Sequence, residues 1–157
     1  MNDTATFVSF NGGQLHFESA GVGPAVLLIH AGIADMRMWQ PQLEAFSRQY
    51  RVARVDVRGF GQSSVPNGDY AAHEDIRAVL DAAKVESAAI VGVSMGGTIA
   101  IDFVLAHPER ARALVAVATG PNGYDRWGDE IRKGWAAEEA ALAAGDMERA
   151  IEINLQM

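Results

Sequence analysis

Along the central part of the chain, short apolar runs that predict strands alternate with segments whose apolar residues have helical spacing. Residues 25–29 form a continuous apolar run, which is typical of a strand buried on both faces of a parallel sheet. Strands are also predicted at residues 51–57, 88–91 and 113–118. The segments between them carry apolar residues at helical spacing, at Trp39, Leu43, Phe46 and Tyr50, at Ile76, Val79, Leu80 and Ala83, and over residues 98–106. Strands and helices therefore alternate over residues 25–118, which predicts an α/β fold with a parallel sheet.

The two ends of the chain have different patterns. Residues 7–10 and 14–18 are short strand-like runs on either side of a Gly-containing turn, which predicts an antiparallel hairpin. The composition changes after residue 120, and two helical stretches follow, one marked by Ile131, Trp135 and Leu142, the other by Met147, Ile151 and Leu155. Gly145 and Asp146 supply a helix stop and a new N-cap between them. We therefore predict a six-stranded core over residues 1–120, with helices on both faces, and a helical segment over residues 121–157.

The composition is that of a folded domain with one core. The chain has 157 residues, 49% of them apolar, which excludes a disordered protein and leaves too little length for two domains. No run approaches the ~20 apolar residues of a membrane helix, and the first four residues lack a leader pattern, so no membrane partner or secretory signal is expected. The net charge of −7 argues against nucleic acid. The absence of cysteine excludes disulfides and thiol catalysis and favours a cytoplasmic location.

One motif carries chemistry. Residues 92–97 (GVSMGG) place the pattern G-x-S-x-G directly after a predicted strand and before a predicted helix. A serine on such a tight turn needs neighbours with almost no side chain, and Gly92 and Gly96 meet that need. The turn exposes the Ser94 hydroxyl and puts the Met95 amide at a helix N-terminus, where it can stabilise an oxyanion. A glycine-rich helix start with an incidental serine is the structural alternative.

Two further stretches accompany this motif in the expected order. Residues 30–32 (HAG) follow the first buried strand, and residues 56–63 (DVRGFGQS) follow the next. With the serine motif, they make the chain similar to the α/β-hydrolase family over residues 7–120. Where the family usually has His-Gly, this chain has Ala31 after the histidine, a small departure that affects the choice of oxyanion donor.

The resemblance implies a role for several residues. Ser94 matches the family's nucleophile, and Met95 matches the residue whose amide helps to form the oxyanion hole. The second donor is expected at Gly32, with Ile33 as the alternative. His30 matches a residue that shapes the loop. Asp56 and Arg58 are interpreted as loop staples, that is, as structural residues that hold the loops between strands in place. The sequence indicates no cofactor and no metal.

A serine nucleophile also needs a base and a group that orients the base. The family's order is Ser, then acid, then His, but His107 is the only histidine after Ser94 and lies about 20 Å along the following helix. His107 is interpreted as the helix end, His16 as a surface strand residue and His73 as a solvated helix-cap residue. No two histidines have the spacing of metal ligands. Acid candidates are weak: Asp102 lies inside a helix, and Asp125 follows the last strand, where some relatives place the acid.

The family is longer than this chain and usually has eight strands, so the resemblance implies an N-terminal portion truncated before the strands that carry the acid and the histidine. The segment after residue 120 then resembles the start of a cap. The strand at 113–118 becomes an edge strand with an apolar face, which predicts self-association, for example as a homodimer, or incomplete folding. The sequence leaves two roles open for Met36, Met38 and Trp39: lining of an acyl pocket, or simple packing.

The leading hypothesis is a serine hydrolase (esterase-like) that acts on a small ester or related carbonyl substrate. The alternative from another class is a non-catalytic binding module that retains the serine turn. Within the same fold, cofactor-free perhydrolase or haloperoxidase chemistry uses the same residues.

Overall fold

A computed structural model of the chain describes residues 4–156. Residues 1–3, on which the expectation of no leader peptide partly rests, lie outside the described residues, as does residue 157. The strands are β1 (Thr4–Phe10), β2 (Gly13–Ala20), β3 (Ala25–Ile29), β4 (Arg51–Val55), β5 (Ala88–Val93) and β6 (Ala111–Val117). The helices are α1 (Gln40–Phe46), α2 (Ala72–Ala82), α3 (Met95–Ala106), α4 (Asp129–Ala143) and α5 (Met147–Gln156).

The six strands form one sheet in the order β1-β2-β4-β3-β5-β6. The hairpin of β1 and β2 is antiparallel, and β2 also pairs with β4 in the antiparallel sense. The remaining pairs, β4 with β3, β3 with β5, and β5 with β6, are parallel. The predicted fold class, a mostly parallel sheet with an N-terminal antiparallel hairpin, is therefore confirmed.

Helices cover both faces of this sheet, as predicted. On one face, α2 and α3 pack on a core that includes Leu15, Leu27, Ile29 and Phe103. On the other face, a smaller core is built by Leu28, Val52, Trp39 and Leu43, the last of which lies on α1. The continuous apolar run of β3 is explained by this arrangement, because Leu27 and Ile29 face one layer and Leu28 faces the other.

Two predicted boundaries differ from the structure. The helix predicted from Trp39 to Tyr50 is a 3₁₀ turn at Met36–Trp39 followed by α1, and Tyr50 lies beyond its end. The strand predicted to reach residue 57 ends at Val55. It ends there because the Val57 amide donates to the ring of His30, 3.0 Å away, and so leaves the sheet ladder.

The strand β6 forms one edge of the sheet, as the sequence predicts. It pairs with β5 only, and most of its residues are exposed, among them Val115 at 48% and Val117 at 45%. An open edge with apolar side chains is a template for further strand pairing or packing.

The chain separates into two compact units, Met1–Asn122 and Gly123–Met157. The second unit holds α4 and α5, which share a small core of Ala141, Ala150 and Ile153. Asp146 caps α5 by accepting the Arg149 amide at 3.0 Å, as the sequence predicts. None of the helices in residues 4–156 has the length and apolar character that a membrane crossing requires. The interpretation of the second unit as the start of a cap stays a prediction.

Candidate active site

Ser94 lies between the end of β5 and the start of α3, on a backbone that L residues rarely adopt. Its φ is 52° and its ψ is −120°, in the region that favours glycine. The turn is held on both sides, because the Ser94 amide donates to the Val117 carbonyl at 2.9 Å and the Ser94 carbonyl accepts the Gly97 and Thr98 amides. The Ser94 side chain itself is exposed. A strained, well-anchored backbone with a free hydroxyl is the arrangement expected of a nucleophile elbow.

The glycines on either side of Ser94 have no room for a side chain. A Cβ atom on Gly92 would overlap the backbone of Gly96 and would lie 2.7 Å from the Gly97 nitrogen. A Cβ atom on Gly96 would overlap the carbonyl oxygens of Ile29 and His30. Close backbone contact therefore explains both glycines of the G-x-S-x-G pattern.

The loop after β3 lies next to the start of α3. A Cβ atom built on Gly32 would be 3.5 Å from the Cβ and Sδ atoms of Met95, so the two residues are direct neighbours. Met95 is the first residue of α3, and the first amides of a helix have no acceptor within it. Ile33 is 80% exposed. The structure thus brings together the residues predicted as oxyanion donors, and their assignment to that role stays a prediction.

His30 is fully buried below this loop and shapes it, as the sequence predicts. Its Nδ1 donates to the Ala31 carbonyl at 2.8 Å, and its Nε2 accepts the Val57 amide at 3.0 Å. Both ring nitrogens are engaged with backbone groups, so His30 is not free to act as a base for Ser94.

The prediction that His16 is a surface residue is wrong. His16 is 0% exposed, and its Nδ1 lies 2.9 Å from Oδ2 of Asp56. The alternation along β2 correctly puts its side chain on the face opposite Leu15, but the loop after β4 and the stacked ring of Phe7 cover that face. The Nε2 atom of His16 has no hydrogen-bond partner within the described residues.

Asp56 and Arg58 hold this loop in place, in line with their interpretation as staples. The buried carboxylate of Asp56 accepts the amides of Met36 and Gln62 as well as bonding His16, each at 2.9 Å. The guanidinium of Arg58 binds Asp75 with two hydrogen bonds, of 2.6 and 2.8 Å. A side-chain hydrogen bond to Asp75 raises the pKa of Arg58 above its usual value.

Of the two remaining histidines, His73 differs from its prediction and His107 agrees with it. α2 has Ala71 at its N-cap with no side-chain cap, and His73 in its first turn is partly buried, with its ring 6.0 Å from that of His107. His107 ends α3, as predicted, and its Nε2 lies 2.9 Å from Oε1 of Glu74. The spacing of the histidines along the sequence does not reveal that α2 and α3 bring His73 and His107 to one carboxylate, that of Glu74.

Within residues 4–156, no histidine forms a hydrogen bond with the Ser94 hydroxyl, and the ring nitrogens of His16, His30 and His107 are bonded to other groups. Asp102 lies within α3, partly buried, as expected from the sequence. Asp125 is exposed in the second unit, where its carbonyl accepts a hydrogen bond from Arg132 at 3.0 Å.

Two depressions border the elbow. A shallow groove of about 690 Å³ is lined on one side by Gly32, Ile33, Met38 and Phe60. A second, of about 940 Å³, runs along α3 from Met95. Of the residues left open as acyl-pocket candidates, Met38 lines the first groove, whereas Met36 and Trp39 are buried in packing.

Comparison with known proteins gives a consistent set of relatives. A family model described as alpha/beta hydrolase fold matches residues 24–146. The carboxylesterase YbfK of Bacillus subtilis is 31% identical over 124 residues, which are 75% of this chain and 42% of that protein. A pimeloyl-acyl-carrier-protein methyl ester esterase of Aliivibrio salmonicida is 34% identical over 130 residues, 82% of this chain and 46% of its own.

A solved structure of a hydrolase from Pseudomonas aeruginosa PA01 matches with a TM-score of 0.73 and 30% identity, over 90% of this chain and 54% of that one. The chain therefore spans about half the length of these three proteins.

Proposed function

Because the chain belongs to the alpha/beta hydrolase fold family, we propose that it carries the nucleophile and oxyanion hole of a serine hydrolase. Its substrates are esters or similar small carbonyl compounds. The observation that carries the proposal is the backbone of Ser94, whose φ of 52° is combined with an exposed hydroxyl at the N-terminus of α3. A strained conformation of this kind persists only where the surrounding structure fixes it, and it concentrates at functional sites.

The proposed reaction follows from the neighbours of this hydroxyl. The Ser94 Oγ atom attacks the substrate carbonyl carbon, the alcohol leaves with the serine proton, and water then releases the acid from Ser94. The Met95 and Gly32 amides hold the negative oxygen that forms during each attack. Loss of one oxyanion donor typically lowers kcat by about 10²–10³-fold, so these two amides make a large contribution.

A base for Ser94 is the part of the mechanism that residues 4–156 do not supply. His30 is engaged at both ring nitrogens, and His16 is buried against Asp56. We infer that the base comes from outside this chain, either from further residues of the same protein or from a partner. The elbow and oxyanion hole alone sustain a residual rate on the order of 10³-fold over water in well-studied triad enzymes.

The groove beside Gly32 offers apolar contacts for an acyl group, next to the ion pair of Asp35 and Arg37 that also lines it. Its walls include the exposed side chains of Ile33 and Met38, at 80% and 38% exposure, together with Phe60. The names of the relatives, a carboxylesterase and a methyl ester esterase, agree with a carboxylic ester as the substrate class.

The test is hydrolysis of a chromogenic short-chain aryl ester by the purified protein and by the Ser94→Ala variant. We expect slow hydrolysis that the substitution abolishes. The control is Ser9→Ala, which removes an equally exposed hydroxyl on β1 and should leave the rate unchanged.

Equal rates for the unsubstituted protein and Ser94→Ala contradict the proposal and favour the alternative, a binding module that retains the elbow. A requirement for peroxide and a carboxylic acid would instead indicate perhydrolase chemistry at the same serine.

A further inference from the structure

A cluster of three metal-binding side chains lies where the start of α2 meets the end of α3. It consists of His73 and Glu74 from the first turn of α2 and His107 from the end of α3. One ligand atom from each, a ring nitrogen of each histidine and a carboxylate oxygen, lie within 4.8 Å of one another. From these three side chains we propose that the protein binds one divalent transition-metal ion of the Zn²⁺ class at this position.

The distances within the cluster suit a tetrahedral ion. Oε1 of Glu74 is 2.9 Å from Nε2 of His107 and 3.7 Å from Nε2 of His73. Bonds of about 2.0–2.1 Å from zinc to nitrogen or oxygen place neighbouring ligands about 3.4 Å apart in a tetrahedron. These two separations lie on either side of that value, and the third, between the two histidine nitrogens, is below 4.8 Å, so side-chain rotations can bring the three atoms around one ion.

The chemistry of the ligands selects the class of ion. Two imidazoles and one carboxylate suit Zn²⁺, Co²⁺ or Ni²⁺ rather than Mg²⁺ or Ca²⁺, which prefer oxygen ligands alone. Three protein ligands leave a fourth position open to water or to another ligand.

The carboxylate of Glu74 is already oriented for this role by a neighbour. Its Oε2 accepts a hydrogen bond of 2.8 Å from Arg77, which leaves Oε1 directed at the two histidines. Hydrogen bonds of this kind typically fix the carboxylates that bind metals. All three cluster residues are only partly buried, which gives an ion access from solvent.

The site is separate from the proposed chemistry at Ser94. His107 follows the last residue of α3, whereas Ser94 precedes the first, so the whole length of that helix lies between them. A bound ion would join the first turn of α2 to the end of α3 and stabilise their packing. The inference therefore does not depend on the proposed hydrolase function.

The test is titration of the purified protein, without a histidine tag, with Zn²⁺ by calorimetry at neutral pH. We expect one ion per chain and a higher Tm when it is bound. His73→Ala should weaken binding on the order of a hundredfold or more, since even partners outside the ligand shell contribute 10–100-fold. Glu130→Gln, which changes an exposed glutamate on α4, is the matched control and should leave the affinity unchanged.

A second measurement uses the unsubstituted protein and so does not depend on how a variant folds. Added Co²⁺ should broaden the NMR signals of His73 and His107 well before those of His16 and His30. Absence of Zn²⁺ binding, affinity that survives His73→Ala, or equal broadening of all four histidines would overturn the proposal and leave the cluster as a simple hydrogen-bonded contact.

Discussion

Two regions of this sheet each resemble one part of a hydrolytic site. In the first region, His16 of β2 and Asp56, which follows β4, form a buried pair. Their side chains lie 2.9 Å apart, the hydrogen-bond distance of a catalytic His-Asp unit. At β5, Ser94 has the backbone and exposure of a nucleophile. In the first region, the Ser63 hydroxyl is already bonded, donating to the Asp56 carbonyl at 2.6 Å and accepting the His16 amide at 2.9 Å. The second region lacks a base within residues 4–156.

The sheet order explains why the two regions do not combine. The strands β4 and β3 lie between β2 and β5, and three strand spacings amount to about 14 Å. A histidine and a carboxylate at hydrogen-bond distance are therefore a structural pair here. Whether such a pair is structural or catalytic is decided by its distance from the nucleophile and not by its residue types.

Replacement of Asp56 by Ala should have the largest effect on stability. It removes the partner of His16 and the acceptor for the Met36 and Gln62 amides, and loss of one member of a buried pair costs about 3–5 kcal/mol. We expect the free energy of unfolding, measured by urea denaturation, to fall by that amount.

Two controls show whether the loss of stability is specific to Asp56 and whether the buried pair affects the reaction at Ser94. Asp69→Ala, at an exposed carboxylate in the same loop region, should leave stability unchanged. At urea concentrations where Asp56→Ala is folded, its Ser94 should hydrolyse the aryl ester at the unsubstituted rate. A selective loss of that rate with stability intact would mean that the buried pair takes part in catalysis.

A smaller effect, on self-association, is expected from a substitution on β6, the edge strand of the sheet next to the elbow. Val115 lies on β6, is 48% exposed, and contributes to the apolar edge through which we predict self-association. Val115→Lys should shift the sedimentation profile towards monomer, because charged residues protect strand edges. Val65→Lys, at a loop position that is 77% exposed, is the control. An unsubstituted protein that sediments as a monomer at high concentration contradicts the prediction.

The smallest effect is expected at Asp35, a partly buried acid whose partner Arg37 is exposed, in contrast to Asp56, which is buried with His16. A side-chain hydrogen bond from Arg37 lowers the pKa of Asp35 to about 2, against an ordinary value of 3.8. This depressed pKa stabilises the fold above about pH 4, and the contribution is lost as the pH falls towards 2. In Arg37→Ala, the NMR titration of Asp35 should move up towards 3.8, and an unchanged midpoint would refute the assignment.

Much of the fold is predictable because the pattern of apolar residues follows directly from which faces of each strand or helix are buried. β3 occupies the predicted residues 25–29 because a strand covered on both faces must be apolar throughout. The elbow was predictable for a related reason: contacts between neighbouring backbones require Gly92 and Gly96, and those contacts are local in sequence.

The histidines were not predictable because their environments are built by distant segments. The alternation of β2 marks His16 as facing away from the core, and only the loop after β4 decides that this face is buried. His73 and His107 are separated by a helix, a strand and a second helix, so no local spacing reveals that they meet.

The most direct test of the central claim is reaction of the purified protein with a fluorophosphonate, followed by mass spectrometry of the intact chain and its peptides. The account predicts a single adduct, located on Ser94 and absent from Ser94→Ala. An adduct on another serine, or no adduct at all, would contradict the assignment of Ser94 as the nucleophile.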